Sequence, residues 1–290
     1  IIGVLPGLGA TTGAALLLPF TLTMDPVHAI AVLATIYVSA TFAGSITAIL
    51  INTPGTSAAA ATTFDGYPLA QKGEAGRALG IAVISSTVGG IFSVLILCFA
   101  APLLARVAYE FRSPEYFALT VFGLSMLASI SAGGAVKNLI GGIFGVWLST
   151  IGAERVTGIE RFMFGNYELY EGLHFVPIFI GLFAISELLV QSKTVDKIIK
   201  TVSMKAVKLP TLEDYKKIWK TILRSCGIGT FIGVLPAEGA TVASMIGYSE
   251  ARRWSKNKKE FGKGSIEGIA GAEAANNAAT GGAMVPTMVL

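Results

Sequence analysis

The run EGIAGAEAANNAATGGA at residues 267–283 places a carboxylate, Glu273, beside two carboxamides, Asn276 and Asn277. Glu273 and Asn277 stand four apart, so a helix presents them on one face. Such a run is too polar to face lipid, and ionisable groups held inside a membrane mark functional sites. Glu267 and Glu273 lie toward a charged stretch, where solvation alone would account for them, whereas Asn276 and Asn277 fall deeper. Hydroxyl groups gather elsewhere, at three glycine- and proline-broken stretches: GVLPGLGATTG at 3–13, NTPGTS at 52–57 and GVLPAEGATVA at 233–243. Thr11, Thr12, Thr56, Ser57, Thr241 and Ser244 supply donors and acceptors for an oxygen-rich ligand. Gly7, Gly9, Gly55 and Gly239 let a backbone approach that ligand closely.

These breaks have a chemistry of their own. A helix that starts at a break exposes unpaired N–H groups and a partial positive charge of about half an elementary unit. That end suits an anion such as a carboxylate. Unwound carbonyls beside it suit Na⁺, and Asn52 in the second break joins the candidate substrate-binding residues. The same glycines would also serve simple close packing of helices. GLGATTG looks like a dinucleotide loop, but a Rossmann site needs a preceding strand and an acid about 20 residues on, and Asp25 is too near.

The elements that hold these residues are apolar. Of 290 residues, 53% are hydrophobic and 14% charged, and the mean hydropathy is +0.67; soluble domains are about 25% charged. Runs at about 27–51, 79–104, 115–133, 136–152 and 172–190 approach the ~20 apolar residues of a membrane-crossing helix. Residues 64–78 read as a polar loop. The sequence thus predicts an all-α polytopic membrane protein whose helices include broken, re-entrant hairpins. The net charge of +4 is concentrated in two basic windows, 191–220 and 251–263. No basic patch interleaved with aromatics points to nucleic acid. Cys98 and Cys226 read as small hydrophobes, and His28 and His174 are isolated.

Basic windows face the cytoplasm. Only residues 221–250 separate the two, so a single crossing would divide them, whereas a re-entrant hairpin turning at Gly233–Gly239 keeps them together. Each arm is then roughly 18 Å long at 1.5 Å per residue, enough to reach mid-bilayer and no further. Counting crossings backwards puts 21–26 on the far side. The re-entrant segment 1–20 then enters from the face opposite to 221–250, the pattern of inverted repeats. The count assumes one crossing over 27–62 and fails if Asn52–Ser57 forms its own hairpin. The organisation expected is a first repeat over 1–190, a basic interfacial linker over 191–220, and the start of a second repeat over 221–290. The chain opens on Ile1 and closes at Leu290 inside an apolar run, which predicts a piece of a longer protein, incomplete at the C-terminus.

The stretch from GVLPGLGATTG through NTPGTSAAAATTFDGYPLAQKGEAGRALG, with EFGKGSIEGIAGAEAANNAATGGAMVP, resembles the large membrane subunit of the tripartite tricarboxylate transporters, the TctA family. The likeness covers nearly the whole chain in the family's order. Its signatures fall on Gly3, Pro6, Gly7 and Gly9, on Asn52, Pro54 and Gly55, and on Pro236, Gly239, Asn276 and Asn277. The resemblance implies a multi-pass protein of the bacterial inner membrane that takes up citrate or other small carboxylates, driven by Na⁺ or H⁺. It implies two partners, a small four-helix membrane subunit and a periplasmic substrate-binding protein, and no organic cofactor. Ala237 and Glu238 depart from the family's glycines. A carboxylate there would ligate a cation or proton, as Glu273 would, or shift substrate preference. An intramembrane enzyme would instead pair a nucleophile with a base, and no histidine lies near the breaks. A channel would share the broken helices but show no saturable exchange.

Overall fold

The structure is a computed structural model that describes residues 2–4, 9–108, 135–154, 158–173, 208–234 and 239–289, with scattered positions in 112–121 and 177–189. The span expected at 115–133 lies largely outside these residues. So do 191–207 of the linker, Pro6 and Gly7, and the second break at Pro236 with Ala237 and Glu238.

The chain forms two compact units, 1–109 with 183–290, and 110–182. In the first, α1 (Ala10–Thr21) leads into α2 (Pro26–Ile51). Asp25 caps α2 by accepting from Val27 N–H at 3.0 Å, and Pro26 starts the helix with the φ it favours. Asn52 ends α2 in the left-handed conformation at φ 54°. From there the chain doubles back. Gly55 N–H bonds Gly44 O at 3.1 Å, and a methyl group on Gly44 would strike Thr56. A single helical turn at Ser57–Ala59 then opens α3 (Ala60–Leu69), which runs beside α2 in the same direction, Thr62 level with Ser45 and Gly66 against Ile49. The 52–59 segment is therefore its own dip. Because it enters and leaves at one end of α2, the two ends of the crossing count keep their relation.

The stretch 64–78 is a helical corner rather than the polar loop expected. A wide turn at Ala70–Glu74 with Gly73 at φ 82° joins α3 to α4 (Ala75–Ala108). Its polar residues are consumed locally: Arg77 bonds Glu74 and Asp214, and Lys72 bonds the Lys263 carbonyl. Helix α5 (Ala135–Ser149) belongs to the second unit. There a small antiparallel pair, β1 (Gly152–Ala153) with β2 (Glu160–Arg161), departs from the all-helical expectation. Left-handed glycines at 152, 158, 165 and 172 make the tight reversals around it.

The first unit closes with α6 (Leu212–Val234), α7 (Gly239–Trp254) and α8 (Ile266–Val289). Helix α7 returns along α6, and the Arg224 guanidinium lies 4.9 Å over the Trp254 ring. Helix α8 is buried almost all round, because its neighbours meet it through small residues. A methyl group on Gly89, Gly229 or Gly233 would strike the backbone of Ala274, Ala275 or Ala279. The core is built from such alanines, while Phe99, Leu103, Val27 and Phe231 are 80%, 65%, 73% and 70% exposed. A small-residue interior with large apolar groups outside is the packing of helices in lipid. Pro26–Ile51 and Ser57–Leu103 are each long and apolar enough to cross a membrane.

Candidate functional site

Three helix beginnings meet at one cavity. Its volume is about 460 Å³, and it is walled by Gly9, Ala10 and Thr11 at the start of α1, by Pro54–Ala58 of the dip, and by Ala240 and Thr241 at the start of α7. Mid-helix residues of α2, Tyr37 and Thr41, complete the wall. Gly9 caps α1 with no side-chain bond to the first turn, and Thr56 likewise leaves the Ser57–Ala59 turn without one. Among the described residues no side chain takes up their first-turn N–H groups, which suits an acceptor in the cavity. Ser57 Oγ lies 2.8 Å from Thr241 Oγ1, tying two of these beginnings together. Thr56 Oγ1 is buried and has no hydrogen-bond partner. Among the described residues no charged side chain lines the space.

From this cavity α1 and α7 depart in opposite directions. Helix α1 ends at Thr21, beside the start of α2. Helix α7 ends at Trp254, at the end where the chain leading into α8 meets α3: Asp65 Oδ1 accepts from Gly264 and Ser265 N–H at 2.8 Å each. Two half-length helices therefore aim their positive ends at one place from both sides.

One helical turn from the cavity along α2 and α3, from Thr41 to Ser45 and from Ala58 to Thr62, lies the side chain of Glu273, fully buried. Ser45 donates to it at 2.6 Å and Ser86 of α4 at 2.8 Å, and Thr62 donates to the oxygen that Ser45 shares. The Asn276 amide lies beside this carboxyl, yet neither its nitrogen nor its oxygen reaches a partner in hydrogen-bond geometry. Asn277 Oδ1 is also buried without a partner among the described residues. Buried polar atoms are ordinarily paired, so this cluster has capacity to spare for a small cation or a proton.

Of the residues predicted from sequence, Gly9, Thr11, Gly55, Thr56, Ser57 and Thr241 share the cavity wall. Thr12 is buried in α1 beside it, and Gly239 opens α7 at φ 44° without lining it. Asn52 is an exposed helix cap. Glu273, Asn276 and Asn277 form the separate cluster below. Gly7 and Glu238 lie outside the described residues. Gly55 turns out to be a packing residue as well: a methyl group there would strike the Gly3 carbonyl and Gly44 Cα. Tyr37, Thr41, Ser45, Asp65 and Ser86 went unnoticed in the sequence. The four-residue spacing of Tyr37, Thr41 and Ser45 in an apolar helix was the available signal.

Comparison with known proteins places the chain among relatives by sequence. The sequence model of the tripartite tricarboxylate transporter TctA family matches residues 1–290. An uncharacterized 52.8 kDa protein in the TAR-I ttuC′ 3′ region of Agrobacterium vitis is 44% identical over 292 residues, covering 100% of this chain and 58% of its own length. An uncharacterized protein in the TAR-II ttuC′ 3′ region of the same organism is 48% identical over 62 residues, 21% of this chain and 26% of its own. The chain thus spans little more than half of the longer match. No solved structure matches it.

Proposed function

The chain belongs to the tripartite tricarboxylate transporter TctA family, a family of membrane transporters rather than enzymes, and from that premise we propose that it is the permease subunit of a cation-coupled carboxylate uptake system. The carrying observation is the meeting of three helix beginnings at one cavity whose described wall carries no charge. Its volume falls within the roughly 300–1,000 Å³ of small-molecule sites. Free N–H groups and hydroxyls suit the oxygens of a tricarboxylate or a related small acid, and each helix end favours an anion by about 0.3–2 kcal/mol.

The same chemistry argues for coupling. Partial charges alone do not balance a multiply charged acid in a low-dielectric space, and among the described residues the wall offers no lysine or arginine. A cation that enters with the acid supplies the difference. Glu273, one turn away, is the group suited to hold Na⁺ or a proton, and Glu238 is proposed as a second. In this reading 1–20 and 221–250 are re-entrant segments of inverted repeats, with the basic windows on the cytoplasmic side of the bacterial inner membrane. A periplasmic binding protein delivers the acid, and a small four-helix subunit completes the membrane assembly.

The test is uptake of labelled citrate and other small di- and tricarboxylates into vesicles holding the full transporter, with a sodium gradient, a proton gradient or neither. Saturable uptake that rises at least about tenfold with one gradient is expected. Uptake of no carboxylate, or uptake indifferent to every gradient, overturns the reading.

A further inference from the structure

At the end of the bundle away from Asp25, a second pocket of about 640 Å³ is lined by Lys217, Lys220 and Arg224 of α6 and by Lys256 beyond α7. Among the described residues none of these four has a carboxylate within ion-pair distance. Arg77 also reaches the wall, but Glu74 and Asp214 neutralise it. Two acids, Glu260 and Glu267, share the lining, and Glu267 is already engaged by the Ser255 hydroxyl. Among the described residues the pocket therefore gathers four cations without a carboxylate partner against two carboxylates, a positive potential that attracts an anion.

The outward face of α6 shows where this pocket sits. Its exposed positions change from Lys216, Trp219 and Lys220 to Leu223, Gly227 and Phe231 along one stripe. Trp219 and Trp254 are 51% and 62% exposed at that change, and apolar Leu223 and Phe231 continue beyond it. Tryptophans at a polar-to-apolar boundary mark the headgroup level of a bilayer. Basic pockets between helices at that level take acidic lipid headgroups.

We propose that this pocket binds the phosphodiester headgroup of an anionic phospholipid, with Lys217, Lys220 and Lys256 on the phosphate and the acyl chains along Leu223 and Phe231. Arg224 stays over the Trp254 ring and fixes the wall. A free phosphate would satisfy the cations but make no use of the apolar stripe, so the lipid is the better occupant. The proposal rests on the membrane setting of the chain and is independent of which solute is carried.

Trp254 reports on the site directly. The full transporter, with every other tryptophan replaced by phenylalanine, is placed in phosphatidylethanolamine vesicles. These carry a brominated lipid, either phosphatidylglycerol or phosphatidylcholine. Quenching of Trp254 by the brominated phosphatidylglycerol is expected to exceed that by phosphatidylcholine severalfold. The triple variant Lys217→Gln, Lys220→Gln, Lys256→Gln is expected to erase the difference, while the corresponding triple change to arginine retains it. Equal quenching by the two lipids, or a difference that survives the glutamine variant, overturns the proposal. Loss of the difference on adding millimolar inorganic phosphate assigns the pocket to free phosphate and overturns the lipid assignment. Because the readout is binding, failure here leaves the uptake result unaffected, and the reverse holds too.

Discussion

Ser57 Oγ and Thr241 Oγ1 lie 2.8 Å apart although 184 residues separate them in the chain. The contact joins the dip between α2 and α3 to the first turn of the helix that follows the second break. If the cavity holds the substrate, this pair sets its width and offers two hydroxyls to one carboxylate. Ser57→Ala and Thr241→Val are each expected to raise the KM for uptake about threefold to tenfold, since a hydrogen bond is worth about 0.5–1.5 kcal/mol. The double variant is expected to cost less than the sum, because each single change already breaks the shared bond. Strict additivity in uptake kinetics would show that the two hydroxyls act apart.

Gly9 caps α1, and a methyl group added there meets nothing within 4 Å. Its φ of −76° is open to any residue. Gly9→Asp therefore fits, and an aspartate at this position should bond the free N–H groups and stabilise the helix by about a few tenths of a kcal/mol relative to glycine. The same carboxylate occupies the place proposed for the substrate and repels it. The expected result is unchanged or improved thermal stability with uptake lost. Gly9→Ala, by contrast, keeps the N–H groups free and should retain most uptake. Equal uptake by Gly9→Asp and the unaltered protein would move the anion site away from α1.

The paired GVLP stretches and the polar run around Glu273 were legible because local chemistry alone marks them. Glycine and proline forbid a continuous helix, and a carboxylate with two carboxamides cannot face lipid. What stayed hidden depends on contacts distant in the chain. The return of 52–56 along α2 rests on Gly44 and Gly55 meeting backbone to backbone, which no local pattern announces. Asp65 looked like a loop residue, yet it caps α8 from 199 residues away. Tyr37 and Thr41 were marked only by their four-residue spacing with Ser45, because α2 is otherwise apolar on every side and its hydrophobic pattern names no inner face. The corner at 70–74 was misread because charged residues at a helix junction resemble a solvated loop until their partners are known.

Arg77 and Asp214 join the corner to α6 at the basic end, with bonds of 3.0 and 2.5 Å between guanidinium and carboxylate. Hydrogen bonds from Arg77 hold the Asp214 carboxyl down at about 2 from its usual 3.8, against the opposing effect of burial. A carboxyl whose folded value is depressed stabilises the fold above its unfolded value and loses that stabilisation as pH falls through the folded one. Thermal stability is therefore expected to decline between about pH 4 and pH 2. Asp214→Asn should remove this part of the decline while lowering stability near neutrality by about 1–3 kcal/mol, because Arg77 loses the charge of a buried partner. A melting profile with the same acid slope in both proteins would locate the titration elsewhere.

Glu273 receives hydroxyls from Ser45, Thr62 and Ser86, on three different helices, and is fully buried. A structural carboxyl and a coupling carboxyl predict different outcomes for two substitutions. Glu273→Gln keeps the shape and still accepts hydroxyl bonds at its amide oxygen, so the helices should remain packed and the melting temperature near that of the unaltered protein. Glu273→Ala leaves three buried hydroxyls without their acceptor and opens a void at the contact of α8 with α2, α3 and α4, at an expected cost of about 2–5 kcal/mol. If the group binds the driving cation, Glu273→Gln should abolish accumulation against a gradient while labelled substrate still exchanges across the membrane at equal concentrations. Loss of exchange and accumulation together, in a protein that melts normally, would assign Glu273 to the substrate itself, and retention of both would reduce it to a strut between helices.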